Sequence, residues 1–311
     1  MDDAADAGPS GSFDSRYLAF LETITSLRPS LHRYCSRMIG SVMEGEDLVQ
    51  EALFQAYRKL DTWDEARPLA PWLFRIAHNR CIDYLRRRGV QVEAETAAMT
   101  PDVVDPKDPR GPDLRRAVEH LVMALPPKER ACVLLKDVFD YTLEEIAELV
   151  DSTAGGVKAA LNRGRVKLAS LPAQSAPARA ATGDMSRLLR LYVERFNQRD
   201  WDGLRELISA DARLQVADRF GGRLSDSPYF GRYERIADWR MALGVVDGRV
   251  AIVTLRADGD GWAPQSLVRL EIVDERVARV VDYRHCPWVL TNAHSVTFGD
   301  RADVSPASVQ P

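Results

Sequence analysis

The chain has 311 residues, enough for two or three domains with their own cores. Its formal net charge of −4 excludes a globally basic nucleic-acid binder, so any such role must rest on local charge. No apolar run approaches the ~20 residues of a membrane span, no signal peptide is visible, and Cys35, Cys81, Cys132 and Cys286 lack metal-ligand spacing; a cytoplasmic protein with reduced thiols, no metal, no cofactor and no membrane contact is expected.

Residues 1–15 are small and polar and read as a disordered leader. Residues 16–90 read as a first helical domain. In it Leu48, Val49, Ala52, Leu53, Ala56, Tyr57 and Leu60 recur at three- and four-residue spacing and predict one buried face. Asp47, Gln50, Glu51, Gln55 and Arg58 take the other side. A polar connector, Asp61–Ala70, carries Trp63 and Arg67. A second helix is expected from Pro71, a good first-turn residue because its missing N–H needs no partner there. Leu73, Ile76, Ala77, Tyr84 and Leu85 form its apolar stripe, while Arg75, Asn79, Asp83 and Arg86 project elsewhere. Either helix taken alone reads as an amphipathic helix with solvated charges.

Residues 91–112 hold four prolines and five acids against two bases, an extended acidic linker. Residues 113–171 read as a second helical domain. Thr142 and Glu145 form a T-x-x-E capping box, and Thr153 is a good N-cap for the next helix. In that helix Val157, Leu161 and Leu168 form the seam, and Lys158, Arg163, Arg165 and Lys167 supply four positive charges with no acid between them. Two short helices with a tight turn, the second basic, predict a helix-turn-helix whose second helix enters the major groove.

Residues 172–185 are Ala/Pro/Ser-rich and read as a linker. In 186–292, Leu188, Leu189, Tyr192 and Phe196 mark an amphipathic helix, with a shorter one through Trp201, Leu204, Leu207 and Ile208. Arg249–Ala257, Leu267–Val273 and Val277–His285 read as antiparallel strands, and Asp258–Gly261 as a hairpin turn. Residues 293–311 read as a disordered tail. The fold class is therefore two all-α domains followed by an α+β domain.

The order of these elements resembles a known family. EDLVQE at 46–51 and PWLFRIAHNRCIDYLRRR at 71–88 are similar to region 2 of the sigma-70 transcription initiation factors, closest to the short extracytoplasmic-function (ECF) group; the helix-turn-helix resembles region 4. The resemblance implies a non-catalytic subunit with core RNA polymerase and promoter DNA as partners. Asp47, Gln50 and Glu51 match the polymerase-docking face. Trp63, Arg67, Arg75, His78, Asn79, Arg80, Tyr84, Arg86 and Arg87 match the part that captures the melted −10 element, and stacking on such aromatics contributes about 1–3 kcal/mol per base. Thr153, Lys158, Asn162, Arg163, Arg165 and Lys167 match the −35 reader. This chain departs from the family at Asp151, where a turn glycine is usual, and at Gly156 and Ala160, where hydroxyl or arginine side chains are common, so phosphate contact is expected there rather than base readout.

The stretch 192–216 resembles the opening of the SnoaL-like α+β cones, which enclose a pocket and in some members act as cyclases or isomerases. Trp239, Asp282, Tyr283 and His285 are the candidate pocket groups, with room implied for a small ligand. Asp218–Arg223 (DRFGGR) resembles a Gly-rich basic loop by which such appended cones contact the sigma core. The expected role of this domain is regulation in cis. The competing readings are a SnoaL-like sensor or enzyme tethered to DNA by the helix-turn-helix, and a simple duplex-binding helix-turn-helix regulator.

Overall fold

The computed structural model describes residues 9–64, 66–92, 122–170, 183–234, 238–259 and 261–298. The chain divides into two units, Met1–Ala173 and Gln174–Pro311. The acidic linker expected at 91–112 and the start of the second helical domain lie almost wholly outside the described residues.

In the first unit, helix α1 runs Pro9–Ile39, α2 Val42–Arg58 and α3 Leu69–Val92. Helix α1 therefore begins inside the stretch expected to be a disordered leader. Ser41 caps α2 by accepting from the Glu44 N–H at 3.4 Å. Leu48, Val49, Ala52, Leu53, Ala56 and Leu60 are buried as the spacing predicts. Tyr57 is not: it is 45% exposed and meets Tyr17 edge-on at 5.7 Å. Helices α1 and α2 approach closely at Gly45, where a Cβ would come within 2.9 Å of the Ser36 backbone. The same interface buries an ion pair, Arg28 Nη2 to Glu46 Oε1 at 2.5 Å.

The second helical module packs onto this bundle through a shared core. It comprises α4 (Pro127–Val133), which continues as a π-turn over Leu134–Val138, then α5 (Leu143–Leu149) and α6 (Ala154–Ser170). The capping box opens α5: Thr142 Oγ1 accepts from the Glu145 N–H at 3.2 Å, and the Glu145 carboxylate accepts from the Thr142 N–H at 2.8 Å. Thr153 Oγ1 accepts from the Gly156 N–H at 3.1 Å and so caps α6. Asp151 sits at the turn with φ +51°, the left-handed region where glycine is sterically cheapest, which is why glycine is usual there.

An aromatic cluster and a buried arginine join the modules. Tyr34 and Phe74 of the bundle meet Phe139 and Tyr141 in edge-to-face pairs, with Phe74–Phe139 at 5.4 Å and Phe74–Tyr141 at 5.5 Å. Such pairs contribute about 0.5–1.5 kcal/mol beyond area burial. The buried Arg130 guanidinium donates to four backbone carbonyls: Val122, Met123 and Leu125 of its own module, and Met38 at the end of α1.

The second unit begins with α7 (Gly183–Gln198) and α8 (Trp201–Glu206). Ile208, expected at the end of a helix, instead opens strand β1. The strands are β1 (Ile208–Val216), β2 (Phe220–Arg223), β3 (Trp239–Val246), β4 (Arg249–Asp258), β5 (Gly261–Val273), β6 (Arg276–Asp282) and β7 (Val296–Phe298), with α9 (Tyr229–Glu234) before β3 and α10 (Pro287–Thr291) before β7. They form one sheet in the order β2-β1-β6-β5-β4-β3-β7. The helices-then-sheet order is the one expected. The sheet is mixed, however, because β1 pairs with β6 in parallel, with Leu214 opposite Val280. Strand β7 falls inside the stretch expected to be a disordered tail. The β4–β5 hairpin turns where expected, with Gly259 at φ +58°. Helix α7 lays Leu188, Leu189, Tyr192 and Phe196 on the sheet. Asn197 locks it there, donating to the Met241 carbonyl and accepting from the Met241 N–H, both at 2.8 Å.

Two substitutions test these packing contacts. Gly45→Ala should destabilise the first unit by about 1–3 kcal/mol, since the obstacle is backbone and cannot swing aside. Arg130→Met should cost about 3 kcal/mol or more, because it strands buried carbonyls. Both are read as shifts of the urea midpoint.

Candidate functional site

The exposed side of α2 is built as its periodicity requires. Glu51 is exposed, and Asp47 and Gln50 are half-buried on the same side. Phe54 stands beside them, three residues beyond Glu51, and is 64% exposed. Sequence spacing alone does not single it out. Its signal was an apolar residue out of step with the buried stripe. Arg58 places its guanidinium 6.0 Å from the Phe54 ring, so the ridge runs from acid through aromatic to base.

On α3, Arg75 and Asn79 are exposed one turn apart, followed by exposed Arg86 and Arg87. Arg86 pairs with Asp83 at 2.9 Å. Arg80 donates to Gln55 Oε1 of α2 at 2.7 Å, and Tyr84 Oη accepts from Arg88 at 3.0 Å. His78 behaves differently from its expected place on this surface. It is buried, with Nδ1 2.7 Å from the Tyr34 hydroxyl. The three- and four-residue spacing from Phe74 and Cys81, both buried, carries it inward. Burial lowers its imidazole from the usual 6.5 to about 4, so it stays neutral.

The connector carries Trp63 and Arg67 between α2 and α3. The Trp63 indole N–H is buried and has no hydrogen-bond partner among the described residues. Arg67 is exposed and lies 3.8 Å from both Asp64 and Glu148 of α5.

On α6, Thr153, Lys158 and Asn162 are exposed. The basic residues after them are engaged within the protein. Arg163 reaches Glu129 at 2.9 Å, Lys167 reaches the same carboxylate at 3.0 Å, and Arg165 reaches Asp137 at 2.6 Å. Four charges in sequence thus become one lysine without an ion pair among the described residues, plus three that carry acids from α4 and the π-turn. Gly164 lets α6 approach α4; a Cβ there would meet Val133 at 2.9 Å.

In the second unit Asp282 is wholly buried and densely bonded. It accepts from the hydroxyls of Tyr229 (2.9 Å) and Tyr233 (3.0 Å), from the Arg284 N–H (2.8 Å) and from Arg284 Nε and Nη2 (2.9 and 2.5 Å). Burial, and then the Asp282 charge, push both tyrosine hydroxyls up. Tyr283 is a core residue, and Trp239 packs edge-on against Tyr233 at 5.8 Å. Of the four expected pocket groups, His285 lines a cavity of about 510 Å³, together with Arg219, Arg232 and Arg284. The DRFGGR stretch is split between the β1–β2 turn, with Asp218 at φ +67°, and strand β2, which takes Phe220–Arg223. No group of three or more metal-ligating side chains occurs among the described residues, and no described helix is long and apolar enough to cross a membrane.

Residues 23–90 match the Sigma-70 region 2 family, and residues 115–168 match Sigma-70, region 4. The chain is 32% identical over 162 residues to the ECF RNA polymerase sigma factor SigW of Bacillus subtilis (strain 168), covering 48% of this chain and 87% of that protein. It is 28% identical over 300 residues to the ECF RNA polymerase sigma factor SigG of Mycobacterium tuberculosis, covering 82% and 78%. Among solved structures it is similar to the Mycobacterium tuberculosis extracytoplasmic function sigma factor SigJ, at 20% identity and a TM-score of 0.35, over 84% of this chain and 95% of that one.

The buried His78 gives a pH test. A histidine whose folded value is depressed binds fewer protons folded than unfolded between about pH 4 and 6.5, so stability falls as pH drops through that window. At 1.36 kcal/mol per pKa unit the loss approaches about 3 kcal/mol. Urea unfolding at pH 7.5 and pH 5 should show it in the natural chain, and His78→Asn should reduce the slope, leaving the part due to buried His32, whose imidazole is lowered in the same direction.

Proposed function

Because the chain belongs to the ECF family of RNA polymerase sigma factors, we propose that it binds core RNA polymerase and directs promoter-specific initiation by holding the −10 and −35 elements, with its second unit regulating it in cis. Members of this family are non-catalytic initiation subunits, and the place of action is the cytoplasm, where polymerase and promoter DNA meet.

The observation that carries this reading is the α2 ridge: Asp47, Gln50 and Glu51 presented beside an exposed Phe54. Phe54 is the most exposed large hydrophobic side chain among the described residues, and an aromatic ringed by polar contacts is the usual anchor of a protein interface. Arg75, Asn79 and Arg87 on α3, with the half-buried Tyr84, supply a basic track with an aromatic face for the displaced strand; Trp63 and Arg67 frame the loop for an extruded base. Thr153, Lys158 and Asn162 meet duplex phosphates. Arg80, Arg86, Arg163, Arg165 and Lys167 join only if their present partners release them.

The two modules must part to work. Elements named −10 and −35 are about 25 base pairs apart, on the order of 80 Å along B-form DNA. A packed unit spanning Met1–Ala173 has a radius of gyration of about 16 Å, hence a diameter of roughly 40 Å. The packed arrangement held by Arg130 and the aromatic cluster therefore cannot reach both elements, and opening is the step on which regulation acts. A ligand in the second unit would shift that step only through different affinities for the two states. The enzyme reading of that unit is weaker, because Asp282 already accepts from two tyrosines and Arg284 and is closed to solvent.

In vitro transcription with core polymerase, on the chain's own upstream region, tests the assignment. Asp47→Ala and Phe54→Ala should each lower specific initiation about tenfold or more while leaving the fold intact. Truncation after Leu171 should change the output; unchanged output and polymerase affinity would remove the cis-regulatory role. Dyes on cysteines placed at Arg75 and Lys158 should move apart when polymerase and promoter are added, and a fixed separation would sink the opening step.

A further inference from the structure

The second unit carries a cavity that is basic where the fold has no structural need for charge. We propose that this cavity binds a small organic anion, a carboxylate or phosphate ester on an apolar body, between Arg219, Arg232 and Arg284. The proposal rests on reading this unit as a regulatory module for its consequence, but the binding itself follows from the geometry below.

The floor is preorganised. Arg284 is fixed by its bonds to Asp282 and lies over the rings of Tyr229 and Tyr233, at 5.0 and 4.9 Å. A guanidinium held this way loses little freedom when it receives an anion. Its Nη1 makes no hydrogen bond among the described residues, so donor capacity remains after Asp282 is served. The walls add Arg219 from the β1–β2 turn and Arg232 from α9. Neither makes an ion pair among the described residues.

The charge count favours an anion. Asp282 balances Arg284. Asp226 is the remaining carboxylate in the lining, and it accepts from Ser225 Oγ at 2.9 Å rather than pairing with an arginine. Arg219 and Arg232 together exceed it by one positive charge. His285 senses the excess: burial, then Arg284 and Arg219, lower its imidazole, with Arg232 adding to the effect. Val216, Pro228 and the Tyr229 ring supply an apolar part of the lining, beside Ser227. A cavity of about 510 Å³ suits a molecule of ordinary metabolite size. Arginine pairs recognise carboxylate and phosphate through paired N–H donors, which sets the chemical class.

The test is calorimetric titration of the full-length chain, without polymerase, with benzoate, phenyl phosphate and neutral benzyl alcohol. Benzoate or phenyl phosphate should bind at sub-millimolar concentration and benzyl alcohol should not, and the stronger of the two anions identifies the headgroup. The double variant Arg219→Gln/Arg232→Gln should weaken anion binding about tenfold or more, with an unchanged melting temperature in the absence of ligand to show that the unit still folds. Equal binding of benzyl alcohol, indifference to the double substitution, or no heat from either anion at millimolar concentration would overturn the proposal. Since polymerase is absent, failure here leaves the initiation assignment standing, and loss of that assignment leaves these heats unchanged.

Discussion

A single guanidinium holds the two helical modules in one body. Among the described residues Arg130 has no carboxylate against it; it is surrounded by main-chain carbonyls, one of which, that of Met38, belongs to the other module. Burial draws its pKa down to about 10, so it is still a cation at neutral pH. A buried charge bonded only to neutral acceptors is strongly placed but not overstabilised: water can replace each carbonyl when the modules part, and no counter-ion is left stranded. The aromatic cluster of Tyr34, Phe74, Phe139 and Tyr141 supplies non-directional adhesion around it. Together they make a joint that is firm at rest and reversible.

The same economy governs the nucleic-acid surfaces. A chain of net charge −4 must bring positive charge to DNA locally, and here the local charge is held in check. Glu129 takes both Arg163 and Lys167, and Asp137 takes Arg165. On the proposed reading phosphates would have to displace these carboxylates, and because Glu129 is buried, releasing it from both bases costs more than parting a surface pair. Lys158, exposed and without an ion pair among the described residues, needs no such exchange.

Much of this was legible in the sequence because it depends on local chemistry. The α2 stripe, the Thr142–Glu145 box, the Thr153 cap and the β4–β5 turn each follow from residues a few positions apart. The errors came where tertiary packing overrides spacing. Tyr57 has the right period but lies at the edge of the stripe, where Tyr17 covers only part of it. His78 reads as a surface base by resemblance, yet shares its face with buried Phe74 and Cys81. Strand β3, Trp239–Val246, carries an Ala-Leu-Gly interior without clear alternation, and β7 exists only because β3 offers it an edge. The intramolecular partners of Arg163, Arg165 and Lys167 lie about thirty residues away and leave no local trace. The arginine cavity was likewise hidden, since Arg219, Arg232 and Arg284 meet only once the sheet has formed.

The parallel pairing of β1 with β6 has a consequence for how the protein comes into being. Strand β1 cannot find its central neighbour until Asp282 has been made, whereas the helical core closes by Ser170. At ribosomal speeds of about 5–20 residues per second, the intervening stretch takes roughly 5–20 s to emerge. For that interval each nascent chain carries finished helical modules and an unfinished second unit, so the newborn helices are open to partners before the sheet can form.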